Sequence, residues 1–153
     1  MCRKEKFADL AYQQALESNM KFKHGAIITK GSKIVAKGNN IGTRTKILGQ
    51  IQGCVHAEMS VANKLMNCII RKKDNKNLSK YTIWVVRINN DKKTSQKYVN
   101  SKPCLFCSRK LMKLGFTKIG YSDDNGKIVV DFLRNIDNQI ISSTQKCLGK
   151  YFK

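Results

Sequence analysis

Apolar positions along the chain follow two periods. Phe7, Leu10, Ala11 and Ala15 recur at helical spacing and predict a helix over 7–16. The runs Gly25-Ala26-Ile27-Ile28-Thr29 and Lys33-Ile34-Val35-Ala36 are short and β-rich, and Lys30-Gly31-Ser32 between them reads as a hairpin turn. A loop rich in Gly, Asn and Thr is expected from Gly38 to about Gly53. From His56 to Ile69 the helical period returns, with Ala57, Val61, Leu65 and Met66 or Cys68 on one stripe. Tyr81-Thr82-Ile83-Trp84-Val85-Val86-Arg87-Ile88 is nearly all apolar, the pattern of a strand covered on both faces. Trp84 within it reads as core.

Two polar stretches, Lys72–Lys80 and Asn89–Lys97, predict exposed loops. A third helix is expected to start near Pro103 and to end at Gly115, since Pro suits a first turn and Gly the position just past the end. Strands are predicted over Thr117–Tyr121 and Lys127–Phe132, around an Asp123-Asp124-Asn125-Gly126 turn. Strands alternating with helices indicate an α/β layered domain. At 153 residues the chain suits one domain over 1–153, with no internal repeat. Its tail from about 135 is unassigned, with room for a short helix.

Charge changes the picture in two ways. Thirty Lys and Arg against ten Asp and Glu give a net charge of +20, which favours polyanionic partners such as nucleic acid, nucleotides or an anionic membrane. Lys, Asn and Ile together form a third of the chain, however, and their A/T-rich codons make genome composition an alternative source of the bias. The basic residues are scattered, and their longest run is Arg71-Lys72-Lys73. The acids are more informative: between Glu17 and Asp74 the one carboxylate is Glu58. No apolar run approaches the roughly 18–20 residues of a membrane-spanning helix. The N-terminus has no apolar stretch after its charges, so a cytoplasmic, reducing location is expected. The six cysteines are then thiols or metal ligands.

Two clusters carry candidate chemistry, each at a predicted helix start. They are His56-Ala57-Glu58 and Pro103-Cys104-Leu105-Phe106-Cys107. Residues three apart share a helix side, so Cys104 and Cys107 can aim both sulfurs at one point. A helix N-terminus lowers a thiol pKa and supports thiolate ligands. His56 would complete a three-ligand site, leaving tetrahedral Zn²⁺ one open position for water, as in catalytic rather than structural sites. Glu58 need not bind the metal and can carry protons. Cys104 and Cys107 alone also suit a redox pair or half of a structural zinc site. Cys54 could close a four-protein-ligand site if it precedes the helix, although Glu58 would then have no role.

His-x-Glu followed by Pro-Cys-x-x-Cys is a signature of zinc-dependent base deaminases, and the chain resembles the cytidine and deoxycytidylate deaminase family. The match runs from about Gly25 to Tyr121 and includes Gly38-Asn39-Asn40, similar to the family's Gly-x-Asn element. The resemblance implies a three-layer α/β/α sandwich around a mixed sheet of about five strands. It implies zinc ligands His56, Cys104 and Cys107, a proton shuttle at Glu58, and substrate contacts from Asn40 and the Ala57 backbone N–H. It further implies hydrolytic conversion of a cytosine nucleoside or nucleotide, such as dCMP or cytidine, to the uracil form with release of ammonia, by a homo-oligomer with no membrane partner. With His24 and His56 as its two histidines, the chain cannot supply the additional His-containing zinc site of some larger deoxycytidylate deaminases.

Rival readings remain at this level. Deamination of a base in tRNA or another polynucleotide fits the charge, but no basic track with interleaved aromatics is evident. A non-catalytic zinc-binding module would leave Glu58 unexplained. Asn40 in a Gly/Asn turn also suits turn chemistry. His24 reads as a surface histidine, with the pocket rim as the alternative. Tyr121 is a weaker pocket candidate, and Cys2, Cys68 and Cys147 read as ordinary thiols.

Overall fold

A computed structural model describes residues 2–43, 45–72 and 77–136. Helix α1 (Arg3–Leu16) is followed by strands β1 (His24–Lys30) and β2 (Lys33–Asn39). A small hairpin, β3 (Thr45–Ile47) and β4 (Gln50–Gln52), precedes helix α2 (Ala57–Arg71). Then come β5 (Tyr81–Ile88), β6 (Tyr98–Val99), helix α3 (Leu105–Leu114), β7 (Lys118–Ser122) and β8 (Ile128–Phe132).

The main sheet has the order β2-β1-β5-β7-β8, and β6 extends it by pairing with β5 at Arg87 and Ile88. β1 runs antiparallel to β2 and β5, β5 and β7 are parallel, and β8 returns antiparallel to β7. The sheet is therefore mixed, with the five expected strands plus one two-residue strand.

Alternation along the central strands sorts side chains to two cores. Ala26, Ile28, Ile83, Val85 and Ile119 pack with Val61 and Leu65 of α2 and Leu111 of α3. Ile27, Trp84 and Val86 point to the other face, against Phe7, Ala8 and Ala11 of α1. Helices thus cover both faces, as the nearly unbroken apolar run of β5 predicts, and give the three layers that the family resemblance implies. Trp84 is core as expected. Its ring lies 5.2 Å from that of Phe7, and its buried Nε1–H donates to Thr29 Oγ1 at 2.9 Å. Layer contact is close at Gly25, where a Cβ would run into the Ala11 carbonyl of α1.

Connectivity fixes where function can sit. β2 leads through α2 to β5, and β5 leads through α3 to β7. Both are crossovers between parallel strands, so both helices begin at the same edge of the sheet, beyond the C-terminal ends of β2 and β5. Both pack against the same core. Their N-termini are brought together there.

Four expectations are corrected. The loop from Gly38 to Gly53 contains the β3–β4 hairpin, turned by Leu48 (φ 48°) and Gly49 (φ 81°). Two consecutive positive-φ residues make the tight turn that matches strand twist, but Leu-Gly lacks the Asn-Gly signal of such a turn. The 72–80 segment ends in a short 3-10 turn, Leu78–Lys80, whose Leu78 is buried. Pro103 precedes the cap of α3 instead of entering its first turn; the helix ends as predicted at Gly115, in the left-handed conformation (φ 107°) that favours glycine. Strand β6 follows the 89–97 loop unannounced, because two residues carry no periodicity. The tail from 137 onward, Cys147 included, lies outside the described residues.

Candidate active site

His56 and Cys104 are the N-cap residues of α2 and α3, both in extended backbone conformation. Cys107 lies in the first turn of α3, and its backbone N–H donates to Cys104 Sγ at 3.5 Å. His56 Nδ1 lies 3.2 Å from Cys107 Sγ and 3.6 Å from Cys104 Sγ. The three ligand atoms fall within 4.8 Å of one another.

This set fits zinc. Tetrahedral bonding at normal Zn–N and Zn–S lengths separates nitrogen from sulfur by about 3.5 Å, and the two observed distances bracket that value. One imidazole and two sulfurs form a borderline-soft donor set of the kind zinc prefers. Cys54 is half-buried and lines the same cavity, yet it is not a member of this group. The geometry therefore favours three protein ligands over four.

The loop carrying Cys104 is anchored by a buried hydroxyl pair. Ser101 Oγ donates to the Val85 carbonyl at 2.8 Å and meets Ser122 Oγ at 2.7 Å. The Ser122 backbone N–H donates back to Ser101 Oγ at 2.8 Å. These bonds tie the approach to α3 to β5 and β7, so the sheet sets the position of both thiols.

The protein groups of this site polarise one another. Burial would lower the His56 pKa, but its hydrogen bond with Cys104 and the charges of Glu58, Cys104 and Cys54 outweigh that and raise it to about 9. The Cys107 thiol donates to Cys104 and, against burial and with help from His56, lowers the Cys104 pKa to about 4. Cys107, as the donor in that contact and buried beside Glu58, is pushed well above the ordinary thiol range. Glu58 is only 4% exposed, and burial raises its pKa.

His56, Glu58, Cys104 and Cys54 line a cavity of about 620 Å³. Ala57 is the first residue of α2, where a backbone N–H has no partner within the helix.

Asn40 lines the cavity but is 6% exposed and heavily engaged. Its Oδ1 accepts from Ser18 Oγ at 2.6 Å and from the His24 backbone N–H at 2.9 Å. Its Nδ2 donates to the Phe22 carbonyl at 2.7 Å. The amide thus holds the 18–24 segment as one wall of the cavity.

His24 lines the cavity and is half-buried, so the surface reading is replaced by the rim alternative. Burial, only partly offset by a hydrogen bond to the Phe22 carbonyl, lowers its pKa to about 4. Tyr121 packs against the core on the α2 and α3 side and is not part of the cavity wall. Among the cavity residues that the sequence did not point to are two cations, Arg87 and Lys102. Each is one cation among thirty, and the one signal was the interruption of the apolar run of β5 by Arg87. Among the described residues no helix is long and apolar enough to cross a membrane.

Comparison with known proteins agrees with this geometry. Residues 1–123 match the model of the cytidine and deoxycytidylate deaminase zinc-binding region. No curated protein matches the sequence. Among solved structures, a cytidine deaminase from Burkholderia pseudomallei superposes with a TM-score of 0.58 at 17% identity, over 90% of this chain and 99% of that one. The dCMP deaminase from cyanophage S-TIM5 in its apo form gives 0.52 at 22% identity, over 80% of this chain and 86% of that one. The same phage enzyme in complex with dCMP and dUMP gives 0.51 at 22%, over 80% and 84%. The structural neighbours share the fold, and the family match takes in both motifs that bring His56, Cys104 and Cys107 together: the chain belongs to the cytidine and deoxycytidylate deaminase zinc-binding family.

Proposed function

We propose that this chain hydrolyses the exocyclic amine of a cytosine nucleoside or nucleotide, giving the uracil form and ammonia. The observation that carries the reading is a buried carboxyl, Glu58, in the same cavity wall as His56 and Cys104, two of the three convergent side chains His56, Cys104 and Cys107. A structural zinc site has no use for that carboxyl.

His56, Cys104 and Cys107 would hold the ion. Zinc bound there supplies an acidified water, with a pKa that falls toward ~7 in favourable sites. Glu58 accepts a proton from the attacking water and delivers it to N3 of the ring as C4 gains the oxygen. The same carboxyl then carries a proton to the departing amine, so one water is consumed and one ammonia leaves. Burial raises the Glu58 carboxyl pKa, which helps the group hold a proton between the two transfers. In this reading the Ala57 backbone N–H meets the ring carbonyl, and Asn40, which lines the cavity, contacts the sugar or base.

The test is a panel of cytidine, deoxycytidine, CMP and dCMP, with zinc-loaded protein, followed by ultraviolet absorbance and ammonia release. Turnover of at least one supports the reading. Bound zinc with no ammonia from any of them would leave a non-catalytic module.

A further inference from the structure

We infer that Arg87, supported by Lys102, forms an anion subsite in the cavity, and that the substrate is a nucleoside monophosphate in preference to the free nucleoside. This rests on the deaminase reading above and adds a residue that reading does not use.

Arg87 stands near the C-terminal end of β5, opposite His24 on β1 and Val99 on β6. Its guanidinium carbon lies 4.6 Å from the centroid of the Phe22 ring, a cation–π contact. Its Nε is buried and has no hydrogen-bond partner. Among the described residues Arg87 makes no ion pair; the pair found there is Lys97 with Asp9, outside this cavity. Lys102 lines the same cavity, and its backbone N–H takes Asn100 Oδ1 at 2.8 Å while its ammonium has no carboxylate among the described residues. Besides Glu58, the carboxylate of the cavity is Asp124, which is exposed and accepts from Asn100 Nδ2 at 2.9 Å.

A half-buried cation with an unsatisfied N–H is costly unless a ligand neutralises it. Guanidinium is the side chain best matched to phosphate, since its planar fork donates to two oxygens at once. None of the chemistry at Glu58 needs a positive charge from Arg87. A cytosine compound that occupies the metal end and carries an anion elsewhere is a nucleotide. A cavity of about 620 Å³ has room for one. Two cations match the dianion of a phosphate monoester.

The experiment measures binding and turnover separately. Calorimetry on the zinc-loaded protein compares dUMP with deoxyuridine, and kinetics compares dCMP with deoxycytidine. We expect the phosphorylated member of each pair to be favoured by tenfold or more. Arg87→Gln should cut that preference ten- to a hundredfold, as expected for loss of a charge-assisted hydrogen bond. Arg87→Lys should recover part of it. Lys102→Gln, read in the same way, keeps the test decisive if the Arg87 variants fail to fold. Equal binding of dUMP and deoxyuridine to the wild-type protein overturns the subsite, as does an Arg87→Gln variant that weakens both alike. Tighter binding of a uracil-containing oligonucleotide than of dUMP overturns the mononucleotide assignment. Turnover without phosphate preference removes this inference and leaves the deaminase reading. Phosphate preference in binding with no turnover of any cytosine compound does the reverse.

Discussion

His56 Nδ1 lies 3.2 Å from Cys107 Sγ although 51 residues separate them in the chain. The distance follows from topology. Two crossover helices start at one edge of the sheet, and each places one of these side chains at or near its cap.

If these groups are zinc ligands, each must be needed for stoichiometric metal. His56→Ala, Cys104→Ser and Cys107→Ser should each lower bound zinc from about one per chain toward none, measured by metal analysis after gel filtration. Cys54→Ser should keep its zinc. Loss of metal from Cys54→Ser alone would point to a closed four-ligand site.

Asn40 is predicted to matter for stability as well as for the cavity. Asn40→Ala removes three hydrogen bonds to the 18–24 segment. It should cost about 2–4 kcal/mol in urea unfolding, at roughly 1 kcal/mol per bond plus the cost of stranded donors.

His24 supplies a pH dependence. Its pKa falls from the ordinary 6.5 to about 4 on folding. Between those values the unfolded chain binds more protons than the folded one, so stability declines as pH drops from about 6.5 toward 4. Thermal melting of wild type and His24→Gln at pH 7 and pH 5 should show the smaller acid loss in the variant.

Gly25 tests the layer contact between α1 and β1. Gly25→Ala places a methyl group against the backbone of Ala11 and Ala15. Overpacking of this kind costs roughly 1–3 kcal/mol, and the melting temperature should fall accordingly.

The parts legible in the sequence were those with strong local signals. The β5 run announced a doubly covered strand, the Pro and Gly framed α3, and the two short motifs carried His56, Cys104, Cys107 and Glu58. The β3–β4 hairpin was not legible, because its turn uses Leu48 in a conformation that side chains rarely adopt. Arg87 was not legible either, since its contact with the Phe22 ring joins residues far apart in sequence. His24 looked like a surface residue because nothing local reveals that the Phe22 and Asn40 contacts fold the chain over it. Burial and long-range pairing decide such cases, and local composition does not record them.

The account turns on Glu58 acting as the proton carrier beside the metal without holding it. The most direct measurement is ammonia release and zinc content in the same preparation of Glu58→Gln, beside wild type, with the cytosine substrate that wild type turns over best. The expected result is wild-type zinc with turnover reduced by at least about 10²–10⁴-fold, the usual worth of general acid–base catalysis. Turnover near the wild-type rate, or loss of zinc together with activity, would contradict it.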